Sequence, residues 1–421
     1  MADVEPLRAL HYDQAVAGDL QDLVAPPYDV IDPQQREELA ARSPHNVVRV
    51  DLPTGDDPYA HAAQLWTEWR AEGAVTHDDE PALWALVQDY TGPDGRAMTR
   101  NGFFARVRVT DYGPGRIRPH ERTHPGPKED RLNLTRATQT NLSPIFSLYD
   151  DPGNAAWRAL EAQLAGEPDG RTVDDDGTVN QLWRIADAAT LASVTDALRD
   201  TELLIADGHH RYETARAYAD EVGGEGEHRY VLMTLVALQD EGLTVFPTHR
   251  LLTDLKDPAR QEALAAALRE NFDIEQIEHA DLRPPEDDGP LTLGYIDGHF
   301  KQAFRLTLKD QAIADRVLDG MPDPYRRLDT AVLEALLLKG PIALTDDDID
   351  HKHGLDYSRT DEEALQMVLD GSADAAFFMR PSPVGQVRDI AAAGVNMPPK
   401  STFFYPKIPT GLLFNQLYAE A

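Results

Sequence analysis

Leu203–Ala219 reads LLIADGHHRYETARAYA, and this stretch decides the fold reading. Leu203-Leu204-Ile205-Ala206 has the length and composition of a short buried strand. It stops at Asp207-Gly208-His209-His210-Arg211, and helix-favouring residues follow at once. A strand that breaks at glycine and turns straight into a helix points backbone N–H groups outward at the helix start, where an anion is stabilised. Two imidazoles, a guanidinium and a carboxylate gathered there suit chemistry on a phosphate. Arginine offers a planar fork for phosphate oxygens, and histidine titrates near neutrality. The plainer alternative is a helix start in which Asp207 satisfies N–H groups and the histidines are merely exposed.

At 421 residues the chain exceeds one ordinary domain, and its 42% hydrophobic content supports a substantial core. The expectation is a first region over 1–165 and a second over 178–421, closely packed. The acidic stretch Gly166–Gly177 is the candidate loop or boundary between them. No apolar run approaches membrane-span length, and MADVEPLRAL at the start lacks the basic head and apolar body of a secretory signal. Without cysteine there are no disulfides, thiolate metal sites or cysteine nucleophiles. A soluble, cytoplasmic protein with no membrane partner is expected. With 40 basic and 73 acidic residues the formal charge is -33, a field that repels nucleic acid. Lysine is scarce, yet Lys128, Lys400 and Lys407 fall inside polar motifs, where cations on an acidic protein suit an anion.

Strands and helices are mixed without strict alternation, which indicates an α+β or α/β fold. Asp32-Pro33 opens a helix through Arg42, and Tyr59–Ala71 carries Leu65, Trp66 and Trp69 at helical spacing, a core face. Trp84–Tyr90 and Asn101–Thr110 flank Thr91-Gly92-Pro93-Asp94-Gly95, a hairpin signal. A helix near Arg131–Thr140 and a strand at Pro144–Tyr149 follow. His228–Leu238 and Leu243–Leu251 read as adjacent strands, and Asp297-Gly298-His299 as a hairpin turn between 291–296 and 302–308. The tail holds a helix near Leu328–Lys339, a helix Glu362–Leu369, a strand Ala375–Met379 and a Pro-rich end.

Two metal-like patterns are set aside. His120-Glu121-Arg122-Thr123-His124 has the spacing of a zinc peptidase motif, but that chemistry needs a helix through both histidines. Pro125 directly after His124 disfavours helical geometry there. His351-Lys352-His353 lacks a completing carboxylate pattern and reads as exposed. The loop has a better use, because Lys128 and Arg131 near a helix start could face a polyphosphate and Glu121 could orient an attacking hydroxyl. The closing stretch MPPKSTFFYPK, 397–407, places Lys400, Ser401 and Thr402 on a backbone stiffened by prolines. The chain has neither a P-loop nor a G-x-G-x-x-G motif after a strand.

VAPPYDVI (24–31), HERTHPGPKEDRLNLTRATQTNLSPIFSLY (120–149), ADGHHRYETA (206–215) and MPPKSTFFYPKIPTGLL (397–413), in that order, resemble the family called domain of unknown function 1015. The resemblance spans nearly the whole chain. More distantly, Asp207–Arg211 is similar to the D-G-H-H-R signature of free serine kinases in the ParB/sulfiredoxin-like superfamily. That similarity implies a ParB/sulfiredoxin-like nucleotide-binding core with large additions. It implies phosphate binding by Gly208, His210 and Arg211, with Asp207 and His209 in catalysis or metal positioning. The amino-terminal glutamate of that family corresponds to Glu121 or to Asp29, an alternative left open.

The expected function is therefore a nucleotide-dependent phosphotransferase acting on a small hydroxylated metabolite. ADP or ATP is the donor, and Mg²⁺ bridges phosphate oxygens and Asp207. Asp207, His209 and Glu121 are the candidate catalytic groups. Gly208, His210, Arg211, Lys128, Arg131, Lys400, Ser401 and Thr402 are the candidate phosphate and nucleotide contacts. A phosphate-ester hydrolase using the same site and a non-catalytic nucleotide or anion sensor are the alternatives.

Overall fold

The computed structural model describes residues 2–93, 95–121, 123, 125–287 and 289–419. The fold is mixed α+β and divides into two compact units. The first comprises Met1–Pro119, Thr123–Thr244 and Pro406–Ala421; the second comprises His120–Arg122 and Val245–Tyr405. Among the described residues no helix is long and apolar enough to cross a membrane.

The first unit is built on a mixed sheet. Its strands are β1 (Val4–Glu5), β2 (Leu83–Thr91), β3 (Ala97–Arg108), β4 (Ile117–Arg118), β5 (Ile145–Tyr149), β6 (Gly170–Val173), β7 (Val179–Ile185), β8 (Leu203–Asp207) and β9 (Tyr230–Ala237). Their spatial order is β4-β8-β5-β9-β3-β2-β7-β6, with β1 beside β3. The hairpin expected around 91–95 joins β2 and β3, with Trp84 facing Phe104 and Thr91 facing Ala97; Asp94 of that turn lies outside the described residues. Every residue of β5 is buried, as suits a strand held between β8 and β9. Phe103, Tyr149, Ile205 and Tyr212 share one core with Val194 and Leu198. Trp66 and Trp69 are buried, and Trp66 packs edge-on against Phe414 at 4.9 Å.

Several expectations need correction. Part of Gly166–Gly177 is the strand β6, which pairs antiparallel with β7 through Val173 opposite Val179. Local acidity hid a strand whose partner supplies the order. The helix expected near Arg131–Thr140 is α1 (Pro125–Thr138), which starts at a proline suited to a first helical turn. His228–Leu238 and Leu243–Leu251 are not neighbours. The first contains β9, whereas the second breaks at Pro247 and delivers β10 (His249–Leu252) to the other unit's sheet. Proline donates no ladder hydrogen bond, so the apolar run cannot continue as one strand. Helix α2 (His209–Val222) follows β8 as expected.

The second unit carries an antiparallel sheet of β10, β11 (Phe272–Ile277), β12 (Thr292–Asp297), β13 (Ala303–Leu308), β14 (Leu355–Ser358) and β15 (Ala375–Phe378). Their order is β11-β13-β12-β15-β10-β14. The expected hairpin at 297–299 joins β12 to β13. Helices α3 (Pro258–Asn271) and α4 (Asp361–Asp370) belong to this unit. The 328–339 segment is helical but widens to a π-turn over Glu334–Leu338. His351 and His353 are exposed, beside Asp347 and Asp348.

Candidate functional site

The first unit's site begins with a strand that is bent on purpose. In β8, Ile205 faces Ser147 and Asp207 faces Phe146, so Ala206 is an extra residue and the register shifts just before the turn. Such a bulge re-aims the side chain after it. Gly208 then takes φ +96°, a left-handed conformation that glycine adopts without steric cost. A Cβ at Gly208 would stand 3.0 to 3.2 Å from the Arg211 guanidinium. No side chain caps α2, whereas Asp257 and Thr360 cap α3 and α4 by accepting from first-turn amides. The first turn of α2 is therefore arranged differently from these conventionally capped helices.

Arg211, one turn into α2, reaches back. Its Nη2 donates to Asp207 Oδ2 at 2.6 Å, and its Nη1 donates to Ser143 Oγ at 2.8 Å and to the Pro144 carbonyl. From the chain's closing segment, Lys407 Nζ donates to Asp207 Oδ1 at 2.5 Å. Two cations thus share one carboxylate, all three side chains being mostly buried. Burial by itself raises the Asp207 pKa, but Lys407 and then Arg211 outweigh it and hold the carboxyl well below the usual range. Asp207 is a fixed anion held between two cations, and Arg211 also acts on the nearby Asp51 carboxyl. His209 is buried and acts on the Asp207 carboxyl, and His210 is half-buried.

A second arginine closes the other side. Arg131 on α1 donates through Nη1 to the Asp51 carbonyl at 2.7 Å and to Asp51 Oδ1 at 3.2 Å, and through Nε to Asp130 at 2.8 Å. Its guanidinium lies over the Tyr28 ring at 4.4 Å. Burial pushes the Tyr28 phenol up to about 12, against the opposing pull of Arg211 and Arg131. Burial likewise raises Asp51, again opposed by Arg131 and Arg211. Tyr28, Asp51, Arg131, Ser143, Arg211 and Thr214 line a recess of about 40 Å³, room for a few water-sized groups. Lys128, on the turn before Arg131, contacts Glu213 of α2 at 3.3 Å.

The segments at 24–31, 128–136 and 206–211 therefore meet within the first unit. Glu121, Lys400, Ser401 and Thr402 belong to the second. There His120 is buried and its Nε2 meets Thr402 Oγ1 at 2.8 Å, with Glu121 Oε1 at 3.5 Å from the same hydroxyl. Ser401 is buried; its Oγ donates to the Pro398 carbonyl at 2.7 Å and meets Thr330 Oγ1 at 2.9 Å. Lys400 is exposed at φ +56°, and its carbonyl accepts from the buried Arg250. Arg122 and His124 of the histidine motif lie outside the described residues.

Asp207 does not fit the metal role expected of it, because both of its oxygens are held by cations. Among the described residues no group of three or more histidine, aspartate or glutamate side chains is placed to hold a metal ion.

A family model described as protein of unknown function (DUF1015) matches residues 4–331. The chain belongs to this family. No curated protein matches it. Among solved structures it is similar to a conserved hypothetical protein from Pyrococcus furiosus, at 15% identity and a TM-score of 0.37, over 73% of this chain and 93% of that one. It is also similar to a free serine kinase in complex with AMP, at 12% identity and a TM-score of 0.38, over 72% and 86%. A third is SbnI with a C-terminal truncation from Staphylococcus aureus, at 11% identity and 0.35, over 73% and 85%. Likenesses of this size leave the argument with the residues of the family member itself.

Three groups escaped the sequence reading. Lys407 was marked only as a cation in the closing motif, with Lys400 preferred seven positions before it. Tyr28 lay within a quoted motif without a role. Asp51 ends a four-residue helix and carries no local signal.

Proposed function

We propose that the first unit binds the phosphates of ADP or ATP at the start of α2 and transfers a phosphoryl group to a small hydroxylated metabolite. The single observation carrying this reading is the Asp207 carboxylate shared by Lys407 and Arg211, which in a chain of net charge -33 sets two cations beside a helix start that no side chain caps. Gly208 lets backbone approach the phosphate, the His210 amide joins it, and Arg211 and Lys407 neutralise its charge. Arg131, held by Asp51 and Asp130, lines the adjoining recess, and Lys128 is paired with Glu213 of α2.

In the transfer step the acceptor oxygen bonds to the terminal phosphorus as that phosphorus leaves the nucleotide's bridging oxygen, which keeps the electron pair. The acceptor's proton goes to His209. Asp207, already ionised and paired, positions the cations and accepts no proton. Glu121, Lys400, Ser401 and Thr402 are assigned no step. A second reading, a nucleotide sensor without turnover, is favoured by the lack of an available carboxylate base at Asp207.

Calorimetric titration with ADP, ATP and inorganic phosphate tests the binding, and phosphorylated product with serine and other hydroxylated acceptors tests the transfer. Arg211→Ala and Lys407→Ala should each weaken nucleotide binding about tenfold or more. His209→Gln should lower kcat while leaving the nucleotide Kd in place. Binding without product in any acceptor supports the sensor, and phosphate release without an acceptor supports the hydrolase. Absence of nucleotide binding ends the phosphotransferase, and absence of phosphate binding as well ends all three.

A further inference from the structure

The second unit contains a recess that the reading above does not use. Its sheet is apolar on both faces. Ile296, Ala303, Ala376 and Phe378 pack with Ala364 and Val368 of α4 in one core. The alternate residues Tyr295, Phe304, Leu306 and Phe377 point the other way, in register across β12, β13 and β15. Helix α3 covers that face only in part, through Leu264 and Leu268. A cavity of about 810 Å³ lies between helix and sheet, within the range of roughly 300–1,000 Å³ typical of small-molecule sites. Phe300 stands at its rim, 71% exposed.

The polar groups of this cavity are incompletely used. Tyr295 is 9% exposed and its ring lies 5.1 Å from that of Phe377. Its hydroxyl forms no hydrogen bond with a described residue and is open to the cavity rather than enclosed. Asp297 uses Oδ1 to accept from the His299 and Phe300 amides at 3.0 and 2.8 Å, and Asp374 uses Oδ2 to accept from the Leu255 amide at 2.8 Å. Both residues line the cavity, where the Gly298 amide donates to the Asp374 carbonyl at 2.8 Å. Each keeps its second oxygen without a partner among the described residues. Lys256, just before α3, and Arg269, near its end, are exposed, and neither forms an ion pair with a described residue.

We propose that this cavity binds a small amphipathic organic amine. Its apolar body lies on Phe304, Leu306 and Leu268. Its ammonium donates to Asp297 and Asp374 and to the Tyr295 hydroxyl, against the aromatic faces that favour a cation. Carboxylates and aromatic floor favour a cation over an acid of equal size, and Lys256 and Arg269 oppose that preference only from exposed positions where water and salt screen them.

Phenethylamine, 3-phenylpropanol and 3-phenylpropanoate share one apolar body and differ in charge, so calorimetric titration of the full chain with each separates the terms. The amine should bind tightest and the acid weakest. Asp297→Asn keeps the turn acceptor and should weaken the amine about tenfold while leaving the alcohol unchanged. Tyr295→Phe should weaken amine and alcohol together. Ala265→Trp on α3 should abolish all binding by filling the space. Equal binding of amine and acid, preference for the acid, or no saturable binding overturns the proposal. So does an Ala265→Trp variant that binds normally, or one that changes only the oligomeric state in sedimentation.

Discussion

The two units treat buried polarity in opposite ways. In the first, Asp207, Arg211 and Lys407 are mostly buried, and both cations are bonded to the one carboxylate. In the second, Tyr295 is just as buried but its hydroxyl has no partner among the described residues, and the excess is hydrogen-bonding capacity. Burying a charge is costly unless it is paired, whereas an unmade hydroxyl bond costs far less. The first site is therefore built into stability and the second is nearly independent of it.

Breaking the first site should have the largest effect. All five tryptophans lie in the first unit, so their fluorescence during urea unfolding reads that unit. Asp207→Ala strands two buried cations and should cost about 3–5 kcal/mol. Added phosphate should restore more stability to this variant than to the parent protein. Because its folded pKa is depressed, Asp207 contributes stability that is present above the ordinary aspartate pKa of 3.8 and lost as pH falls below it.

Gly208→Ala should cost about 1–3 kcal/mol, since the left-handed backbone and the Arg211 guanidinium both resist a methyl group. It should also weaken nucleotide binding, read in the same titration as Arg211→Ala.

Asp174 sharpens the comparison from the other sign. Burial pushes its carboxyl up to about 7. The fold therefore prefers it protonated, and stability declines as pH rises from about 4 to 7. Asp174→Asn should gain about 1–2 kcal/mol over the parent at pH 8 and nothing at pH 4, measured by fluorescence-detected unfolding.

The smallest effect compares two phenols. Tyr212 donates to the Thr110 carbonyl at 2.9 Å and accepts from its amide at 3.0 Å, so Tyr212→Phe should cost about 1–2 kcal/mol. Tyr295→Phe should change stability by less than about 0.5 kcal/mol in calorimetric unfolding. A large loss at Tyr295 would mean the fold already uses that hydroxyl.

Much of this was readable along the chain. The strand–glycine–helix at 203–219, the hairpin around 91–95 and the tryptophan face at 66 and 69 all follow from local pattern, because period, turn chemistry and helix starts are set by near neighbours. The strand at 170–173 was not readable, since Val179–Leu182 opposite it provides the order. Nor was the path of 243–251, where Pro247 divides one apolar run between two sheets.

By itself the sequence determined that Asp207 and Arg211 share a site, because only a glycine turn and the first turn of a helix separate them. Tertiary structure alone decided that Lys407, not an equivalent cation nearby in the closing motif, completes it across 200 positions of chain. Cations of one type look alike in sequence; which of them is buried against a carboxylate depends on where the fold delivers the backbone. The same holds for Tyr295, whose alternation in β12 predicts a buried face but not that helix α3 leaves the face half covered.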